Sequence, residues 1–166
     1  MDLDEIKKIM KKEGDYFEFY AYNLKCYGKR GPVSSWCGYV EVPKIHGFFN
    51  ADVHILDVHG GVTWDAFSSD RETLTIGFDC AHSGDIVPDL LVFTGVMNFG
   101  YESTYRDKEY VKNEIENMAR QIHEHSPEYY DLLTLALKNI NKNMKKNKPL
   151  PDVGSVEYWK NKNKGK

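Results

Sequence analysis

YFEFYAYNLKCYGKRGPVSSWCGYVEV, residues 16–42, is the stretch on which the reading of the fold turns. Its first part, YFEFYAYNLKCY (16–27), is aromatic and extended in character, and GKRGP (28–32) breaks the run. WCGYVEV (36–42) sets Cys37, Tyr39 and Glu41 against Trp36, Val40 and Val42, which reads as a second strand ended by Pro43. Further along, segments 52–58, 62–67 and 73–79 read as short strands, and 90–95 as one more strand or a loop. Between them Gly60-Gly61 suits a turn or bulge, because glycine takes positive φ without steric cost.

Helices flank this β-rich middle. Leu3, Ile6 and Met10 share one helical face, with Asp2 or Asp4 as cap and Gly14 as stop, so a short helix is expected over 3–12. In YRDKEYVKNEIENMARQIHEH (105–125), Tyr110, Val111, Ile115, Met118, Ala119 and Ile122 form one stripe, which predicts a helix packed across the sheet. Ser126-Pro127-Glu128 reads as the start of another helix, over about 127–146. The predicted fold is α+β: a curved, mainly antiparallel sheet packed by C-terminal helices, with a short N-terminal helix. One domain is expected over 1–147, followed by a basic tail over 148–166, docked or flexible.

Composition narrows the function classes. The N-terminus MDLDEIKKIM lacks a basic region followed by a sustained apolar run, so it does not read as a secretory signal. The apolar runs are too short to cross a bilayer, and no membrane partner is expected. Cys26, Cys37 and Cys80 have no metal-knuckle spacing and read as reduced thiols. Nine of the 22 basic residues lie in 138–166 against two of the 25 acidic ones, so residues 1–137 carry 13 basic and 23 acidic side chains. That acidic body argues against a DNA or RNA footprint, which needs a basic surface.

Chemistry-bearing residues gather in DVHGGVTW (57–64) and IGFDCAHSGD (76–85). Four readings compete for them. His54, His59, His82, Asp79 and Asp85 are suitable metal ligands, but their spacing fits none of the well-defined schemes. Cys80 could be a nucleophile activated by His59 or His82, with Gly60-Gly61 amides as an oxyanion hole. The same groups could be a hydrogen-bonded polar core that fixes strand ends. Finally, they could line a small-molecule pocket, with Trp36, Tyr39, Trp64, Phe67 and Tyr105 for stacking and Arg30, Lys44, Arg71 and Arg106 for phosphates.

The ordered motifs WCGYVEV, HGGVTW, IGFDCAHSGD and YRDKEYVKNEIENMARQI resemble those of a small protein family widespread in phages and prophages. The resemblance covers about residues 16–123. It carries over onto Cys37, Gly38, Tyr39 and Val40; His59, Gly60, Gly61 and Thr63; Asp79, Cys80, His82 and Asp85; and Tyr105 and Arg106. The pattern departs at Ile115, where a Cys is usual, and in the segment from Leu132 onward. It is similar in turn to the phage anti-CBASS sponges, which sequester cyclic nucleotide signals such as 3′3′-cGAMP without cleaving them. The resemblance implies a homo-oligomer in the cytoplasm of an infected host cell, without catalysis, cofactor or metal. The expected ligand-binding residues are Arg30, Trp36, Tyr39, His59, Gly60, Gly61, Thr63, Trp64, His82, Asp85, Tyr105 and Arg106. Arg30 or Arg106 is expected to meet the phosphates at an interface. A metal-dependent or Cys/His hydrolase of a small nucleotide-like substrate, with His59, Asp79, His82 and Asp85 at its centre, and a structural or host-protein-binding module are the alternatives.

Overall fold

The computed structural model describes residues 3–94, 103–126 and 138–140. Contacts divide the chain into two units, Met1–Pro127 and Glu128–Lys166. The first holds the sheet. In the second, residues 138–140 are helical, and the rest of the expected 127–146 helix and the 148–166 tail lie outside the described residues.

Helix α1 (Leu3–Glu13) leads into strands β1 (Tyr16–Ala21), β2 (Leu24–Arg30) and β3 (Trp36–Pro43). After two short 3-10 turns, Gly47–Asn50 and Val53–Ile55, come β4 (Trp64–Phe67) and β5 (Thr73–Asp79). Helix α2 (Pro88–Thr94) and helix α3 (Lys108–Glu124) complete the unit. The five strands form one sheet in the order β1-β2-β3-β5-β4, and every neighbouring pair is antiparallel. The α+β expectation of a curved antiparallel sheet packed by helices therefore holds.

Three local expectations change. The stretch 16–27 is a hairpin rather than one strand: Tyr22 and Asn23 both take positive φ, 52° and 58°, and turn the chain between β1 and β2. Two positive φ values in a two-residue loop match the twist of the flanking strands. Segment 52–58 contains a 3-10 turn in place of a strand, because the Asp52 side chain accepts from His54 N and caps it. Of segment 90–95, residues 90–94 fall in helix α2, where Pro88 stands at the first helical position and needs no N–H partner, and residue 95 lies outside the described residues.

Alternation along the strands sorts side chains between two faces. Leu24, Cys26, Trp36, Val40, Val42, Leu74, Ile76 and Phe78 face the core and are buried. Against them helix α3 lays Val111, Ile115, Met118, Ala119 and Ile122, five of the six residues in the predicted stripe. Burying aliphatic side chains of this size is worth about 1.5–3 kcal/mol each. The sixth, Tyr110, sits at the edge of the stripe and turns its hydroxyl to His59. A smaller cluster of Ile6, Ile86, Leu91 and Tyr105 packs α1 near the start of α2. Among the described residues no helix is long and apolar enough to cross a membrane.

Candidate functional site

The loop after β5 bends at Gly84, where φ is +91°. A backbone bridge from Asp85 to Thr104 then draws the chain ahead of α3 alongside it. This brings together residues that the sequence holds far apart. Asp85, with a side chain only 1% exposed, is the hub. Its Oδ1 accepts from Arg106 Nε at 2.9 Å, while its Oδ2 accepts from His82 N at 3.0 Å and lies 2.8 Å from His59 Nε2. On its other side His59 Nδ1 meets the Tyr110 hydroxyl at 2.9 Å, and His59 N donates to Glu114 at 3.0 Å. Burial works against ionising Asp85, but the hydrogen bonds from Arg106, His59 and His82 outweigh it and hold the carboxyl below its ordinary range.

His82 is placed by the glycine turn. Gly60 has φ +67°, and a Cβ there would stand 2.2 Å from His82 Cε1, so only a bare backbone lets the ring lie where it does. The His59 and His82 rings lie edge to face, with centroids 5.5 Å apart. Of the other groups named from the sequence, His54 is exposed and stays outside this cluster. Cys80 is buried, and burial, reinforced by the Asp85 charge, raises its thiol pKa far above the ordinary value. The thiolate that a nucleophile requires is therefore disfavoured.

Arg30, Trp36 and Tyr105, expected at the ligand, belong instead to a second buried network centred on Glu13. Glu13 Oε2 accepts from Arg30 Nη2 at 2.7 Å, from Trp36 Nε1 at 3.2 Å and from the Tyr105 hydroxyl at 2.8 Å. Its Oε1 accepts from Lys108 N at 2.8 Å. The Arg30 guanidinium also donates to the carbonyls of Gly14 and Ser34 and stacks 4.4 Å from the Trp36 ring centroid. Trp36 is fully buried. These polar groups are paired inside the fold, where an unpaired one would be costly. Glu13 itself escaped notice, since nothing in KKEG (11–14) separates it from a solvated helix end.

The opposite face of the sheet is open and aromatic. Register places Glu18, Tyr27, Tyr39, Gly77 and Trp64 in one row across the strands. The Tyr27 and Tyr39 rings stack at 4.9 Å and 16°, and Lys29 Nζ stands 5.1 Å from the Tyr39 ring centroid. Tyr39 leans over Gly77, where any Cβ would come within 2.6 Å of its ring. Trp64 is 56% exposed. Between them runs a groove of about 680 Å³ lined by Tyr27, Lys29, Cys37, Tyr39, Trp64 and Phe67. A neighbouring hollow of about 210 Å³ shares Cys37, Tyr39 and Trp64 and adds Ser35, Thr63 and Asp79. Ser35 Oγ is buried there with no hydrogen-bond partner among the described residues.

The residues named from the sequence thus separate three ways. His59, Gly60, Gly61, His82, Asp85 and Arg106 belong to the polar cluster and its turn. Tyr39, Thr63, Trp64 and Phe67 line the open face, and Arg30 contributes only to one groove wall. Lys44 pairs with Glu72 at 2.6 Å, and Arg71 stacks on Phe67 at 5.0 Å. Tyr27 and Lys29 were missed, although their alternation with buried Cys26 and Gly28 was the available signal. No family model matches the chain, and neither a curated protein nor a solved structure matches it.

Proposed function

We propose that this chain captures a cyclic nucleotide on the open face of its sheet and holds it without cleaving it. In an infected cell such capture would lower the free second messenger and blunt CBASS signalling. The supporting observation is the row of Tyr27, Tyr39 and Trp64 beside Lys29, bordering a groove of about 680 Å³. Aromatic faces stack on bases with little regard to sequence, each worth about 1–3 kcal/mol.

Sequestration requires nanomolar binding, about −12 kcal/mol or better. With Arg30 and Arg106 engaged internally, Lys29 is the nearest cation for a phosphate, and a second copy would supply its equal. The reading therefore includes a homo-oligomer. The test incubates the protein with cyclic dinucleotides, removes excess, heats it and analyses what is released. Intact ligand is the expected product; linear or monophosphate products establish a hydrolase, and no retained ligand overturns the reading. Trp64→Ala should weaken binding roughly 5- to 150-fold, the equivalent of one lost stacking contact. Because Trp64 is exposed, its melting temperature should stay near that of the parent.

A further inference from the structure

We infer that His59, His82 and Asp85 form a binding site for a divalent transition-metal ion of the zinc class. The site is separate from the aromatic groove and stands or falls independently of nucleotide capture. One ligand atom from each of the three residues lies within 4.8 Å of the other two. Zinc holds nitrogen and carboxylate oxygen at about 2.0–2.2 Å, so tetrahedral ligands sit about 3.4 Å apart. His59 Nε2 and Asp85 Oδ2 are 2.8 Å apart, and His82 Nδ1 and the same oxygen are 3.8 Å apart. Small opposite adjustments bring both separations to the required value.

The decisive observation is His82 Nδ1. This nitrogen is buried, yet no hydrogen-bond partner among the described residues reaches it. Asp85 Oδ2 at 3.8 Å and Asp79 Oδ1 at 3.9 Å are too distant for a hydrogen bond. Gly60 keeps the ring in place, since the turn backbone presses against it. A buried ring nitrogen held 3.8 Å from a carboxylate oxygen, with no hydrogen bond of its own among the described residues, is what a cation would use.

Outer contacts are also those of a metal ligand set. Arg106 holds Asp85 Oδ1, while Oδ2, which accepts from the His82 backbone N–H, has a second lone pair for the ion in place of the His59 contact. Tyr110 bonds His59 Nδ1 and orients the ring, and its hydroxyl can accept from Nδ1–H when Nε2 turns its lone pair to an ion. With the ion bound, Nε2 directs its lone pair to the metal and Nδ1–H donates to the Tyr110 oxygen. Three protein ligands leave one position for water or another donor.

The test strips the full chain with a chelator, titrates cobalt(II) as a visible-absorbing probe, and then competes it with zinc. One equivalent should bind, with absorption bands of a four- or five-coordinate centre, and zinc should raise the melting temperature. His82→Ala, which removes no side-chain hydrogen bond, should weaken cobalt binding by more than about 100-fold, beyond the 10- to 100-fold cost of losing an outer contact. Tyr110→Phe keeps all three ligands and should weaken it roughly 10- to 100-fold, marking Tyr110 as a positioning residue. A folded wild-type chain with no saturable cobalt spectrum would overturn the site. So would a His82→Ala variant that binds as tightly as the parent; the cluster would then be a structural ion pair only.

Discussion

Gly60 shows how one missing side chain organises the polar cluster. Its φ of +67° lies in the left-handed region, which costs a residue with a Cβ about 1–2 kcal/mol. The Cβ of an alanine would in addition meet the His82 ring at 2.2 Å. Gly60→Ala is therefore expected to destabilise the fold by about 2 kcal/mol or more, since the steric displacement adds to the backbone cost. Urea unfolding reads this directly, and an unchanged midpoint would show that the turn and ring relax together. Asp85 illustrates the complementary case, a buried charge tolerated because Arg106, His59 and the His82 amide all reach it.

Elements are decided by short-range contests between pattern and backbone geometry. The stretch 16–27 has no glycine or proline, so its aromatic run reads as one strand, but the chain reverses at Tyr22-Asn23. Asparagine tolerates the left-handed region, and Tyr22 is steadied by stacking on His123 at 5.3 Å. A β-branched residue tolerates it poorly. Asn23→Val should destabilise the hairpin by about 1–2 kcal/mol and speed exchange of β1 amides, measured by hydrogen exchange. Exchange as slow as in the parent would count against the turn's role. Helix α3 was the easier element to read, because its apolar stripe is long; the structure adds its start, the Asp107 N-cap, whose side chain accepts from Tyr110 N at 2.8 Å.

Across the first unit, Glu13 fastens four elements: it ends α1 and binds Arg30 of β2, Trp36 of β3 and the first turn of α3. Burial opposes its ionisation, but the hydrogen bonds from Lys108, Tyr105, Trp36 and Arg30 prevail and hold its pKa below the ordinary 4.5. A carboxyl with a lowered folded pKa adds stability above its unfolded pKa and loses it as pH falls through the folded value. Denaturant unfolding should thus show stability declining on acidification below the ordinary carboxylate range. Glu13→Gln should flatten that decline, and an unchanged acid slope would refute the assignment. Glu13→Ala removes the buried carboxylate from Arg30, whose side chain is 6% exposed and which keeps only the Gly14 and Ser34 carbonyls, the Tyr105 hydroxyl and the exposed Asp15, and should cost about 3 kcal/mol.

From the sequence by itself follow the α+β class, the helix stripe of α3, the glycine turn and two segments, 57–64 and 76–85, dense in chemistry-bearing residues. These rest on local periodicity and on residues whose backbone or chemistry leaves few alternatives. Only the tertiary structure decided that His59, His82 and Asp85 meet and that His54 does not, and which aromatic and cationic residues face outward. Arg30 and Trp36 look as suited to a ligand as Tyr39 and Trp64 until strand pairing assigns each to a face. Pairing is long-range: it set Tyr27 beside Tyr39 and Gly77 beside Trp64, and it brought Glu13 to Arg30. A one-residue slip would exchange the two faces of any strand, so the groove exists only once the register is made.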